Sequence, residues 1–573
     1  MSLKFSVAMI GILAAMLLAA CGGGNDDAVT TKAAAPAAAA PTAVVVVADA
    51  KPVEARLIMA QGIPSVESNN PWRNESPRTP WFFAATHESL IGADADTGEH
   101  IPQLAEAWNV EPDGMSVRFK LRKGIRFHGD NGEFSAQDVI ATKDAHTAED
   151  SRHTHRSQYR GVTIEVVNPY EIVYRLVTPN PEILNNTSSW NVTSMEPFSA
   201  KDMASLGGNP DLTMRPPAGT GAFQFLERTQ GVEFIVERVP YDHWRYNSDW
   251  EEIEFRFANE ASTRLAALLT GEVHVTSLPL DLQNQAEDQG MAVATGQVLT
   301  RQRSGMFQGP VVDKSYANYE KQNTACGYVH CDDAFLDLKV RRAFNKAVDR
   351  AAINTAFFGG KGIENHNPHF VPTRAYWNPE WDAKFDEEYG YDPVKAKALL
   401  AEAGYNASNP LKILVDGTPS SGLPEKADVM EAMAGYWHEI GVKVEMDLRD
   451  SAATRAIDRG FGMTNRIQYM TSNIVGLQSF RVHHWTNGSP RAGFELKEMT
   501  ELVDWHRGSL DPAVITERMR TTGDVTFGLH IQIPLVWKPE ELAYNPNVVA
   551  SYEWSGVPLG TVSHFERFMA VKK

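Results

Sequence analysis

Cysteines and histidines are the side chains of this sequence best suited to chemistry, and their spacing allows only a few kinds of site. The 573 residues contain three cysteines, Cys21, Cys326 and Cys331, and 17 histidines. An oxidising compartment would favour a disulfide between Cys326 and Cys331, with free thiols as the alternative. His330 lies between them, but two thiols and one imidazole leave a tetrahedral metal site incomplete. We therefore expect a short surface loop closed by a disulfide.

Two histidine pairs raise a second metal hypothesis. His366 with His369, and His483 with His484, could bind nickel or a metal chelate if they met in one cleft. Adjacent histidines on an extended segment point to opposite faces, however, and 17 histidines produce close pairs by chance. A nickel or chelate binder therefore stays an alternative, and we predict no resident metal and no other cofactor.

Local signatures of catalysis and of nucleic-acid binding are missing from the sequence. It lacks G-x-S-x-G, S-x-x-K, H-E-x-x-H and G-x-x-x-x-G-K, and His87-Glu88 has no second histidine to complete a zinc motif. The net charge of −18 argues against a phosphate-binding surface. We therefore predict that the protein is not an enzyme and does not bind nucleic acid.

The N-terminus has the pattern of an export signal. A nearly uncharged run from Phe5 to Ala20 is shorter than the ~20 residues of a spanning helix. The sequence LAACG that follows resembles the lipobox of bacterial lipoproteins, which implies that Cys21 carries lipid; a chance cysteine is the alternative. Residues 1–20 are thus predicted to be a signal peptide and 21–53 a lipidated, flexible linker rich in Ala, Pro and Thr. We expect the mature protein at the periplasmic or extracellular face of the cytoplasmic membrane.

The elements after the linker alternate between strands and helices. Period-two alternation predicts a strand at 117–121, and residues 223–239 read as a hairpin. Helices are predicted from Ser135, from 340 to 351, from 392 to 404 and from 429 to 441, with a strand at 442–448. Because 43% of the residues are hydrophobic, the chain can form two or three cores, which we expect to be layered α/β lobes.

Five ordered sequence blocks carry a family resemblance. The longest runs from His87 to Val139; the others are PAGTGAFQFLE from Pro217, LKVRRAFNKAVDR from Leu338, YDPVKAKALLAEAGY from Tyr391 and IQIPLVWKPE from Ile531. The sequence thereby resembles the family 5 extracellular solute-binding proteins, which bind dipeptides, oligopeptides or nickel. The resemblance implies an α/β, two-lobe periplasmic-binding-protein fold of type II, cluster C-like, with an extra subdomain on the first lobe.

The family fold implies a first lobe assembled from separate segments. Its predicted boundaries are 54–86, 213–301 and 532–573, with the subdomain at 87–212 and the second lobe at 302–531. Hinges are expected near 299–304 and 532–538, and closure about them would bury the solute. Since an importer must distinguish loaded from empty protein, the solute has to bind the closed form preferentially.

The resemblance also implies a function. The chain would be the monomeric solute-binding component of an ABC importer, delivering a peptide or peptide-like solute to the permease and ATPase complex. A sugar, an oligosaccharide or another neutral metabolite is the alternative solute, and nickel or a metal chelate is a further one.

The sequence departs at one place from the pattern of the peptide-binding family members. Peptide-binding members carry an acidic cluster, W-x-x-D-x-x-D-P, for the ligand's ammonium group, whereas the corresponding stretch here, Arg466–Phe480, contains no acid. Asp450 or Glu495 would have to replace it. The predicted solute contacts are aromatic and polar residues beside the family blocks: Trp72, Arg303, Tyr469, Asn473, Trp485 and Trp537. Each tryptophan could instead fill a hydrophobic core.

Overall fold

The computed structural model of the chain describes most residues between 55 and 572. Within that range the description omits 64–67, 74–81, 95, 97–98, 154–155, 181–182, 190–194, 208–211, 213–214, 297–300, 313–325, 373, 419–422, 424, 450–452, 455–456, 458–460, 474–493, 500–501, 503–508, 510 and 554–563. The predicted signal peptide, Cys21 and the linker lie outside the described residues, so their roles stay predictions.

The first sheet has seven strands and mixed direction. Its order from edge to edge is Ala292–Thr295, Glu541–Tyr544, Val275–Thr276, Arg56–Gln61, Glu252–Phe257, Glu233–Arg238 and Phe223–Thr229. Arg56–Gln61 is parallel to both of its neighbours, and the other pairs are antiparallel. Its core includes Leu57, Phe234 and Phe255, which are fully buried. Strands from three distant parts of the sequence therefore share one sheet.

The second sheet has six strands and supports the candidate site. Its order is Ile363–Glu364, Gln532–Lys538, Arg301–Gln308, Arg466–Asn473, Lys412–Asp416 and Lys443–Asp447. Lys412–Asp416 is parallel to both of its neighbours, and the other pairs are antiparallel. The largest hydrophobic core among the described residues, with Phe344, Met433 and Trp437 among its members, packs on this sheet.

A third sheet lies within the range predicted for the subdomain. It is antiparallel, with the order Ala105–Val110, Ser116–Leu121, Glu171–Arg175 and Thr163–Asn168. Two further strand pairs are Ile91–Ala93 with His100–Pro102, and Val549–Tyr552 with Phe568–Ala570.

The chain passes between the first and second sheets at two places. One passage lies between Ala292–Thr295 and Arg301–Gln308, and the other lies between Gln532–Lys538 and Glu541–Tyr544. Because Arg301–Gln308 and Gln532–Lys538 are paired strands, the two passages adjoin each other. The domain boundaries and hinge motion inferred from the family stay predictions.

Helices cover the sheets and connect their strands. The described α-helices are Phe82–Thr86, Ala136–Thr147, Arg156–Tyr159, Ile183–Asn186, Ala200–Ser205, Ala261–Thr270, Leu280–Asp288, Leu338–Lys346, Arg350–Phe358, Pro379–Tyr389, Pro393–Glu402, Lys426–Glu439 and Pro512–Leu529, and the short 3-10 helices are Pro71–Arg73, Ala334–Leu336 and Phe565–Arg567. None of these described helices is long and apolar enough to cross a membrane.

Most of the predicted elements are confirmed. The strand Ser116–Leu121 and the hairpin of Phe223–Thr229 with Glu233–Arg238 form as expected. The helix Ala136–Thr147 begins after Ser135, whose backbone N–H donates to the Asp138 carboxylate over 2.8 Å, as in a capping box.

The single helix predicted from 340 to 351 is wrong, because the segment forms two helices. The first ends at Lys346, and the second begins at Arg350. Asp349 starts the second helix, since its carboxylate accepts the backbone N–H of Ala352 over 2.9 Å. Asp349 lies between Val348 and Ala351 of the apolar stripe that suggested one helix, and its capping of the second helix outweighs that periodicity.

Candidate functional site

The strand Arg301–Gln308 brings several of the predicted solute contacts together. It lies between Gln532–Lys538 and Arg466–Asn473, and the register places Arg303 opposite Thr471 and Arg301 opposite Asn473. Directly opposed residues of paired strands point to the same side of a sheet. Arg301, Arg303 and Thr471 therefore share one face of the second sheet, which we call the arginine face, and the backbone of Asn473 pairs with Arg301 at its end. Tyr469, opposite Gly305, lies on the same face.

Arg303 forms the centre of the polar contacts on the arginine face. Its Nε donates to Oε1 of Glu425 over 2.6 Å, and its Nη1 donates to the Thr471 hydroxyl over 3.1 Å. The Tyr469 hydroxyl donates to the same Glu425 oxygen over 2.9 Å. Two of the predicted contacts, Arg303 and Tyr469, thus meet at a carboxylate that the sequence did not single out. Glu425 immediately precedes the helix Lys426–Glu439.

A second carboxylate, Glu540, extends this cluster to the passage between the sheets. Its Oε1 lies 2.8 Å from Nε of Arg301 and 3.6 Å from Nη2 of Arg303. The Arg301 side chain is 4% exposed and that of Glu540 is 13% exposed, so water screens their attraction weakly. Arg301, Arg303, Glu425 and Glu540, called here the ion cluster, form a continuous chain of alternating charges.

Electrostatics keep both carboxylates of the ion cluster ionised. Burial alone would raise the pKa of Glu425, but the Arg303 guanidinium lowers this pKa to about 2. Burial likewise opposes ionisation of Glu540, whose pKa is nevertheless lowered by Arg301 and Arg303. The pKa of Tyr469 is raised by burial and by the neighbouring Glu425 carboxylate, so its phenol remains a hydrogen-bond donor.

Trp537 lies on the opposite side of the same sheet. The register pairs it with Gln302, and it is fully buried beside Val371. Its face carries a network of polar groups: Gln302 and Gln532 each lie within hydrogen-bonding distance of one ring nitrogen of His369, at 3.2 and 2.9 Å. Trp537 therefore does not join Arg303 and Tyr469, and its contact with solute stays a prediction.

Trp72 lies apart from the second sheet, in a small hydrophobic cluster of its own. Its indole packs against Phe198 and His146, with ring centroids 5.6 and 6.5 Å apart, and the residue is 8% exposed. These contacts match the core-packing alternative for this tryptophan.

No side-chain contact with Arg303 is described for the remaining predicted contacts. Trp485 and Asp450 lie outside the described residues, and the description of Asn473 is restricted to its backbone. Glu495 is fully buried, and its backbone N–H donates to the Pro310 carbonyl over 2.7 Å. A solute-binding function for Asn473 and Trp485 stays a prediction.

Sequence reasoning missed Glu425 and Glu540, although part of the signal was available. Arg301 and Arg303 are two residues apart in a predicted hinge, so both lie on one face of a strand. Two neighbouring cations on one face predict acidic residues close to them. The acids themselves follow Pro424 and Pro539, in segments that no local pattern connects with residue 303.

Among the described residues, neither the cysteine hypothesis nor the pair His366 and His369 gains a metal-ligand set. Cys326 and Cys331 are joined by a disulfide, and Nε2 of His330 donates to the Phe461 carbonyl over 2.6 Å. His366 lies between carboxylates, 2.6 Å from Asp382 and 3.2 Å from Glu364. Within the described part of the chain, no three His, Cys, Asp or Glu side chains are arranged to hold a metal ion. His483 and His484 lie outside it.

A match to a protein-family model shows the family to which this chain belongs. The family model described as bacterial extracellular solute-binding proteins, family 5, matches residues 99–479, more than half of the chain. The chain belongs to this family. The description of this family names extracellular solute binding.

Curated relatives of this family 5 protein bind different solutes. Heme-binding protein A of Haemophilus influenzae is 26% identical over 365 residues, and the dipeptide-binding protein of Escherichia coli is 26% identical over 379 residues. The matches cover 60% and 63% of this chain. They span 60% and 65% of those two relatives, which is less than two thirds of their length.

Solved structures confirm the fold predicted for this family 5 protein. The dipeptide-binding protein of Pseudoalteromonas sp. SM9913, in complex with Met-Leu, has a TM-score of 0.73 and 20% identity, covering 90% of this chain and 100% of its own. NikA of Brucella suis, in complex with Fe(III)-EDTA, has a TM-score of 0.71 and 20% identity, covering 91% and 100%. The α/β, two-lobe fold of periplasmic binding proteins is therefore the fold of this chain.

Proposed function

We propose that this family 5 protein is the solute-binding component of an ABC importer and captures a peptide or peptide-like solute. The observation that carries the proposal is the family match over residues 99–479. Its relatives include the dipeptide-binding protein of Escherichia coli, and the similar fold from Pseudoalteromonas holds the dipeptide Met-Leu. A permease and its ATPase are the proposed partners.

The proposed mechanism is closure of two lobes about the adjoining passages between the sheets. Solute would bind beside the arginine face, and the closed form would be the one that the importer engages. Arg303, Tyr469 and Asn473 are the proposed contacts; the pairing of their strands, with Arg303 opposite Thr471 and Asn473 opposite Arg301, supports this choice. Trp485 is proposed as an aromatic contact beyond the end of the same strand.

The proposed location follows from the N-terminal sequence. An export signal and lipid on Cys21 would hold the protein at the outer face of the cytoplasmic membrane, where two or more acyl chains give stable anchoring. Labelling of growing cells with a radioactive or clickable palmitate tests this, with Cys21→Ser as the control variant. Loss of the label in that variant alone is the expected result, and a label that persists would contradict the anchor.

A thermal shift experiment tests solute binding directly. Ligands that bind only the native state raise its melting temperature by an amount that grows with their concentration. We expect shifts from short peptides when the purified protein is screened against peptides, neutral sugars and nickel with small chelators. Shifts from sugars or chelates without any from peptides would contradict the peptide proposal and favour one of the alternative solutes.

A further inference from the structure

The charges of the arginine face are compensated within the protein. Glu425 lies 2.6 Å from Arg303, and Glu540 lies 2.8 Å from Arg301. Lys538, which the register places opposite Arg301, lies 3.2 Å from Glu541. Each cation that the described residues bring to this end of the strand therefore has an anion of the chain beside it.

The ion cluster is also too buried to rearrange at low cost. The side chains of Arg303 and Glu425 are 2% and 8% exposed, and Arg303 is fixed further by the Thr471 hydroxyl. A solute carboxylate that displaced Glu425 from Arg303 would leave a buried anion without its cation. A solute ammonium group that displaced Arg301 from Glu540 would leave the buried Arg301 cation without its anion. Removing one partner of a buried ion pair is strongly unfavourable.

The acid that would hold a free ammonium group is also missing from the neighbouring strand. The described strand Arg466–Asn473 has the sequence RIQYMTSN and contains no carboxylate. Neutral hydrogen-bonding capacity, by contrast, is present on the arginine face. The Thr471 hydroxyl accepts from Arg303 and can donate its own hydrogen, and the Tyr469 phenol donates to Glu425 and can accept through its oxygen.

We infer that the arginine face recognises a solute end that carries no free charge, such as an amide, a hydroxyl or a blocked peptide terminus. The inference rests on the proposed function, because it takes this face to line the solute site. It narrows the peptide-like class to solutes whose recognised end is neutral. Neutral groups bind here without separating either ion pair, whereas an ammonium or carboxylate group would compete with one of them.

Calorimetric titration of the full chain with one dipeptide in four forms tests the inference. The forms are Met-Leu, N-acetyl-Met-Leu, Met-Leu-amide and N-acetyl-Met-Leu-amide, with maltotriose as a neutral non-peptide. We expect a neutral-ended form to bind at least about tenfold more tightly than free Met-Leu. Tighter binding of free Met-Leu would overturn the inference and leave the peptide proposal intact. Binding of maltotriose without any dipeptide form would overturn the peptide proposal and support the inference, and no binding at all would contradict both.

A pair of variants tests whether the ion cluster is the cause. In Glu425→Gln, the Arg303 guanidinium loses its nearest anion. N-acetyl-Met-Leu, whose free end is a carboxylate, should therefore bind this variant several-fold more tightly than the unaltered protein. The double variant Arg303→Gln with Glu425→Gln restores charge balance and should show no such gain. Circular dichroism establishes that both variants fold. If the folded single and double variants bind N-acetyl-Met-Leu with equal affinity, the ion pair of Arg303 and Glu425 does not control whether a charged solute end is accepted.

Discussion

Gly219 lies directly against His87, so the sequence blocks that begin at His87 and Pro217 meet at this glycine. A Cβ atom added at Gly219 would lie 2.9 Å from Cγ of the His87 ring and still closer to the Thr86 carbonyl oxygen. Real Cβ atoms do not approach backbone oxygen atoms so closely, and the backbone there cannot move aside cheaply. The segment before the strand Phe223–Thr229 therefore packs directly on the end of the helix Phe82–Thr86 because Gly219 has no side chain.

Gly219→Ala should therefore destabilise the protein. We expect the free energy of unfolding to fall by about 2–3 kcal/mol, as for other overpacked positions. Urea unfolding followed by circular dichroism gives the measurement. Gly435→Ala is the matched control, because Gly435 lies inside the helix Lys426–Glu439 with no atom within 4 Å of the added Cβ. That control should gain about 0.5–1 kcal/mol from helix propensity. Equal effects of the two substitutions would contradict the packing argument.

Buried neutral histidines should make stability fall as the solution becomes acidic. Burial lowers the pKa of His87 to about 3, and the pKa values of His128 and His146 to about 4, from 6.5. Between pH 6.5 and 4 the unfolded chain takes up protons that the folded chain does not. Each of these histidines should cost about 2 kcal/mol of stability on going from pH 7 to pH 5.

Urea unfolding at several pH values between 7 and 5 checks the histidine prediction. The slope of unfolding free energy against pH should decrease in His146→Gln, which no longer titrates. His438→Gln is the control, because His438 is exposed on the helix Lys426–Glu439. A slope that His146→Gln leaves unchanged would contradict the assignment.

Carboxylates should add a second loss of stability at lower pH. Although burial opposes their ionisation, the pKa of Glu425 is lowered to about 2 by Arg303, and that of Glu566 is lowered to about 2 by hydrogen bonding to His564 and by Arg245. Their stabilising effect is complete above the unfolded pKa of 4.5 and disappears as the pH falls towards 2. Acid unfolding monitored by tryptophan fluorescence should therefore shift to higher pH in Glu425→Gln than in the exposed-site variant Glu439→Gln.

The ion cluster predicts strong coupling between Arg303 and Glu425. Either single change, Arg303→Met or Glu425→Met, leaves a buried charge without its partner and should cost about 3–5 kcal/mol. The double variant should cost less than the sum of the two, because it removes both charges together. A double-mutant cycle by urea unfolding measures this coupling. Simple additivity of the two losses would show that the pair contributes nothing specific.

Reduction of the disulfide should loosen the segment that precedes the strand Arg466–Asn473. The loop containing Cys326 and Cys331 holds Phe461 through His330 and holds Lys497, whose Nζ donates to the Cys326 carbonyl over 3.0 Å. For a loop this short we expect a loss of about 2 kcal/mol. A melting temperature that falls with dithiothreitol in the unaltered protein, and not in the variant with both cysteines changed to serine, is the expected result. Insensitivity of both proteins would contradict it.

Local chemistry predicted the elements better than it predicted the site. The Ser135 cap, the hairpin at 223–238 and the strand at 116–121 follow from short patterns that act within a few residues. The helix break at Asp349 was missed because an apolar stripe and a capping carboxylate compete there, and the cap prevails.

The ion cluster was missed for a different physical reason. Arg303 and Glu425 are 122 residues apart in sequence, and their contact depends on a helix end being packed over a particular strand. Period-two spacing could predict that Arg301 and Arg303 share a face, but no local rule could supply the two acids. Charge compensation is a property of the tertiary structure, whereas capping and strand alternation are local.

The pairing of Arg301–Gln308 with Gln532–Lys538 limits how the two main sheets can move. The ladder extends from Met306 and Gln532 up to Arg301 and Lys538, the residues at which the chain leaves the second sheet. Because backbone pairing joins the two strands up to the residues where the crossings begin, we expect the two crossings to move together. If the two lobes close about these crossings, as the family resemblance implies, we expect a rotation about a single axis with little lateral shear.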